Sequence, residues 1–135
     1  MNLPWIGILA AGAAGFVSSF LWFGPKTFFP LWWRLMGKGD EVPGGGQSMP
    51  ITFALSFVAS VAQAAAVAGI MSALGPGDLS PVGAAGAGLI AGLAVASASL
   101  GHRLFGGHGV GVWAIEAGSD VVNLVVMSAV LSFWF

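Results

Sequence analysis

PITFALSFVASVAQAAAVAGIMSAL, residues 50–74, decides the fold. The run carries no charge and is longer than the ~20 residues needed to cross a ~30 Å hydrocarbon core as a helix. Three further runs of the same kind flank it: Pro4 to Phe23, Val82 to Gly101 with His102-Arg103 closing the span, and Trp113 to Phe135. In lipid a backbone must satisfy its own hydrogen bonds, so runs of this length become helices. Their Ala and Gly residues show no two-residue period, which argues against a barrel. Composition agrees: 57% of the chain is hydrophobic and only 7% charged, and nine charges cannot cover a wetted surface for 135 residues. The expectation is an all-α polytopic membrane protein, a bundle of four transmembrane helices over about 4–23, 50–74, 82–102 and 113–135. The chain is long enough for one domain, not two.

Around these spans the remaining features fall into place. All six tryptophans, Trp5, Trp22, Trp32, Trp33, Trp113 and Trp134, lie near span ends or in the first loop, as the headgroup boundary favours. Met1-Asn2-Leu3-Pro4 has no basic residue, so the first run reads as a retained helix, not a secretory signal. Lys26, Arg34 and Lys38 lie between the first two spans and Arg103 between the last two. The loop around Asp78 has no basic residue. Both basic loops share one side of a four-span chain, expected to be cytoplasmic, with both termini outside the cytoplasm. The absence of cysteine excludes disulfides and thiolate metal sites. A net charge of −1 gives no reason to expect nucleic acid.

The long first connection holds Lys26, Phe28, Trp32, Trp33, Arg34 and Lys38. With its basic residues on one side and its aromatics on the other, residues 26–37 read as a short interfacial amphipathic helix anchored at the headgroups, with Gly37 as its C-terminal cap. A docking surface for a partner is the sharper alternative. Gly39 to Gln47 reads as a linker. Small residues recur every four positions in three spans: Gly7, Ala11, Gly15, Ser19; Ser56, Ser60, Ala64, Ala68, Ser72; and Ala84, Gly88, Gly92, Ala96. Such stripes let helix backbones approach closely.

The fourth span holds the chemistry. Glu116, Asp120 and Asn123 lie at i, i+4 and i+7 and share one helix face. A charged Asp at a helix centre costs roughly 2.5–3.5 kcal/mol on insertion scales, so these groups should face protein or water. Arg103 can pair with Glu116 or Asp120, His102 can join by hydrogen bonding, and Gln63 and Asn123 lie at similar depth, within reach of an interhelical amide bond. Three readings stand: polar glue fixing helix register, a proton or cation pathway, or a metal or cofactor site using His102, His108 and the carboxylates. The two histidines match no metal-ligand spacing. His102 alone could ligate a haem or pigment, but near a span end it reads first as an interfacial residue, and no cofactor is expected. Gly106-Gly107-His108-Gly109 lacks the Lys and preceding strand of a phosphate loop. No HExxH or Ser-His-Asp arrangement points to an enzyme.

Trp22-Phe23-Gly24-Pro25 followed by Trp33-Arg34-Leu35-Met36-Gly37 resembles the domain of unknown function 1761 family of small bacterial membrane proteins. Leu104-Phe105 and the segment Ile115 to Gly118 are similar to that family too, so the resemblance covers most of the chain. Family members often carry an aromatic residue or His soon after this glycine; this chain has Ser119-Asp120. The resemblance implies four spans in a bacterial cytoplasmic (inner) membrane and no particular activity. Two functional expectations follow. The first is a non-catalytic structural or accessory subunit, packing against itself as a homo-oligomer or against a larger membrane complex. The second is a small oligomeric transporter or channel moving protons or cations through Glu116 and Asp120.

Overall fold

The computed structural model describes residues 2–41, 43, 48–74 and 80–135. Five α-helices follow in order: α1 (Trp5–Trp22), α2 (Phe29–Leu35), α3 (Met49–Leu74), α4 (Pro81–Phe105) and α5 (Gly109–Leu131), which runs on into a 3₁₀ turn, Ser132–Trp134. There is no strand among the described residues. The protein is all-helical, and four of its helices are long and apolar enough to cross a membrane. The loop around Asp78 and most of the Gly39–Gln47 linker lie outside the described residues.

Local chemistry sets the helix ends. Ser80 caps α4 by accepting from the Gly83 N–H at 3.1 Å, with Pro81 at the first position. The two loops that carry the basic residues close α2 and α4 with the same device. After α2, Gly37 takes φ +71° and donates to the Arg34 carbonyl while Lys38 donates to the Trp33 carbonyl. After α4, Gly107 takes φ +78° and donates to Leu104 while His108 donates to Arg103. This paired pattern satisfies the last carbonyls, and the left-handed residue it needs is best supplied by glycine. It turns the chain within Gly106–His108, so α5 starts at Gly109, four residues before the expected Trp113. The interfacial helix is shorter than the expected 26–37. Pro25 to Phe28 form turns, and Lys26 and Lys38 fall outside α2, which leaves Arg34 as its basic residue.

The three small-residue stripes become helix–helix interfaces within the chain. Ala84, Gly88, Gly92 and Ala96 are all buried along the α4–α5 contact. A Cβ on Gly88 would stand 2.5 Å from the Leu124 carbonyl oxygen, and one on Gly92 2.8 Å from the Val121 Cα. Gly12 is equally close to the α3 backbone, 2.9 Å from the Val61 Cα. On α3, Ser60, Ala64 and Ala68 are buried. The resulting arrangement is uneven. α1, α3 and α5 enclose a core of Ile8, Ala11, Ala64, Val67, Met71, Leu124, Met127 and Leu131, while α4 packs chiefly on α5. That core fills the half of the bundle remote from the basic loops. Near those loops the N-terminal half of α3 stands off its neighbours: Phe53, Leu55, Ser56, Phe57 and Val58 are exposed.

Candidate functional site

The structure gathers the basic loops, Trp22, Trp32, Trp33 and Trp113, and the start of α5 at one end of the bundle. Trp22, the last residue of α1, lays its ring against Gly118 of α5, where a Cβ would stand 2.7 Å from it. Its indole Nε1 donates to the Ile115 carbonyl at 2.9 Å. The two segments Trp22–Pro25 and Ile115–Gly118 are therefore one contact. Trp113 donates across to the Ala96 carbonyl of α4 at 2.8 Å. Trp32 of α2 donates to Glu116 Oε2 at 3.1 Å, so it faces the bundle and not only the interface. The other anchor residues do face outward. Lys26, Phe28 and Arg34 are exposed, Trp33 donates to the Gly39 carbonyl at 3.2 Å, and Lys38 lies 3.7 Å from Glu41.

Glu116 is fully engaged. Arg103 meets it as a fork, Nε to Oε1 and Nη2 to Oε2, the bidentate geometry that gives strong, oriented pairs. The pair ties α4 to α5, and Trp32 adds α2 to it. Of the two pairs the sequence allows for Arg103, the one with Glu116 forms. His102 takes no part, being exposed at the end of α4. His108 takes the place expected of it, its Nδ1 3.3 Å from Arg103 Nη1. The α4 turn runs back under Arg103, and this brings His108, not His102, to the guanidinium. Among the described residues no three His, Cys, Asp or Glu side chains gather as a metal site.

Asp120 and Asn123 belong to a different environment. They line a cavity of about 580 Å³ between α1, α3 and α5, with α2 at its loop end. Asp120 is half-buried and has no hydrogen bond or ion pair among the described residues. Asn123 is 8% exposed. Its Nδ2 donates to Ser119 Oγ at 3.4 Å, and its Oδ1 has no partner. The expected amide bond between Gln63 and Asn123 is absent, although both residues line the cavity. Gln63 is exposed although its neighbours Ser60 and Ala64 are buried, so its side chain turns away from Asn123. Thr52, Ser56, Ser60 and Gln63 form the α3 wall of the cavity, while Phe16, Phe20, Phe23, Phe53 and Trp32 supply aromatic surface. The signal for this wall was in the sequence as polar residues at i, i+4, i+8 and i+11 of one helix, but Ser56 and Ser60 also fit a packing stripe.

A family model described as "Protein of unknown function (DUF1761)" matches residues 6–132. The chain belongs to the DUF1761 family. No curated protein and no solved structure matches it. The match to DUF1761 spans all four long helices, α2 and the cavity between them.

Proposed function

We propose that this DUF1761 chain is a non-catalytic membrane carrier that takes up a cationic solute in the α1–α3–α5 cavity, with Asp120 as the counter-charge. The carrying observation is the division of labour between the two carboxylates of α5. Glu116 is paired with Arg103 and serves the packing, whereas Asp120 lies beside a cavity with no partner among the described residues. An ionisable group at depth, facing a cavity with no partner among the described residues, is the usual mark of a substrate or ion route. The packed core beyond Asn123 supports a carrier over a channel, since no open path continues through Ile8, Ala64, Met127 and Leu131. On the positive-inside rule the cavity's loop end faces the cytoplasm and both termini lie outside, in a bacterial cytoplasmic membrane.

The test is uptake by proteoliposomes of a panel of inorganic and organic monovalent cations. Wild type should show saturable uptake of at least one of them, and Asp120→Asn should abolish it while the protein still elutes as a folded species. Equal uptake by wild type and variant, or none by either, would leave the polar face as packing only. The accessory-subunit reading retains one observation: α4 is packed chiefly on α5, and Val82 and Ile90 on it are 82% and 71% exposed. Native mass of the complex extracted from its own membrane decides whether a partner covers that face.

A further inference from the structure

The unsatisfied oxygens of the cavity point to the class of solute. Three of the hydroxyl donors along it are spent within the protein. Thr52 Oγ1 donates to the Ser48 carbonyl at 3.0 Å, and Ser56 Oγ to the Thr52 carbonyl at 2.8 Å. Ser60 Oγ donates across to the Gly12 carbonyl at 2.7 Å. The Trp32 N–H is held by Glu116, and the Asn123 amide N–H by Ser119. Ser19 and Gln63 keep their donors, but the two α5 groups in the cavity offer acceptors: the Asp120 carboxylate and Asn123 Oδ1, which have no partner among the described residues. A hydroxyl that bonds back along its own helix keeps its acceptor capacity and loses its donor. A buried acceptor without a donor is costly, and a ligand N–H recovers that cost.

Aromatic rings from α1 and α3 line the same cavity. Phe16 and Phe53 meet edge to face with centroids 6.5 Å apart, Phe20 and Phe53 lie 6.2 Å apart, and all three line the cavity. Aromatic faces attract cations and bury apolar tails. A volume of about 580 Å³ falls within the range of about 300–1,000 Å³ that holds drug-sized organic ligands. A bare metal ion would leave most of it empty.

Resting on the reading of this cavity as a cation site, we infer that its ligand is an amphipathic organic ammonium. The N–H donors of its head meet Asp120, Asn123 and the α3 hydroxyls, and its apolar tail lies on Phe16, Phe20 and Phe53. An ammonium with N–H groups fits Asp120 and Asn123 Oδ1 better than a quaternary head, which has nothing to donate.

The experiment is calorimetric titration of the full chain in lipid nanodiscs with phenethylammonium, methylammonium, thallium(I) and the neutral phenethyl alcohol. Intrinsic tryptophan fluorescence, to which Trp32 at the cavity contributes, provides a second readout. Phenethylammonium should bind, methylammonium and thallium(I) should bind far more weakly, and phenethyl alcohol should not compete. Asp120→Asn should weaken phenethylammonium about tenfold or more, as loss of a charge-assisted hydrogen bond does. Phe53→Ala should weaken phenethylammonium and leave methylammonium unchanged. If thallium(I) or methylammonium binds as tightly as phenethylammonium and depends on Asp120, the site takes small cations: this inference falls and the carrier reading stands. If the neutral alcohol binds equally well, the cavity is a greasy crevice and the inference falls. Should no cation bind in an Asp120-dependent way, both fall. The comparison of four ligands on wild type alone decides the substrate class even if a variant does not fold.

Discussion

Arg103 and Glu116 illustrate how one pair of residues fixes several elements. Their side chains are 29% and 20% exposed, which places the pair between the surface case, where ion pairs contribute little, and the buried case, where breaking one is costly. Arg103→Ala should destabilise the protein by about 2–3 kcal/mol, because it leaves Glu116 charged and unpaired at the head of α5. Adding Glu116→Gln should restore part of the loss. Thermal unfolding of the single and double variants in one detergent measures this; additive losses would mean that the pair is not coupled. The candidates for this contact were legible in the sequence, since a short connection had to return α5 beside α4. The choice of His108 over His102 was not, because it depends on the left-handed turn at Gly107, which brings the later histidine under the guanidinium. The Trp32 contact was equally hidden, since a seven-residue helix gives no signal of which face turns inward.

At the scale of helices, glycines divide into those that permit contact and those that merely occur. Gly88 has no room for a methyl group against the α5 backbone, whereas a Cβ on Gly86, two residues away, meets nothing within 4 Å. Gly88→Ala should therefore cost about 1–3 kcal/mol by forcing α4 off α5. Gly86→Ala should be neutral or stabilise by about 0.5–1 kcal/mol through helix propensity. Chemical unfolding of both variants checks the contrast, and equal effects would show that α4 and α5 are not packed backbone to backbone. The four-residue spacing predicted close packing correctly on α4, where every member of the stripe is buried. On α3 it did not distinguish uses. Ser60, Ala64 and Ala68 pack, while Ser56 faces the cavity. Small side chains serve a tight interface and a hollow equally well, so spacing alone cannot tell which neighbour is missing.

For the molecule as a whole, hydrophobic length set the number of spans and the basic residues marked one end, and the structure brings both basic loops to that end. The cavity was not readable, because it arises between α1, α3 and α5, a relation among three helices that no local pattern encodes. That feature carries the proposed function: a hollow reaching Asp120 inside a bundle of membrane-length helices. The chain has no cysteine, so single-cysteine variants report on water access directly. In oriented vesicles, cysteines replacing Ser56 and Gln63 should react with a membrane-impermeant cationic thiosulfonate added on the side where a cysteine at Lys38 also reacts. A cysteine at Leu55, on the lipid face of the same helix, should remain unmodified. Reaction at none of the three positions on α3, or equal reaction at all of them, would contradict the account.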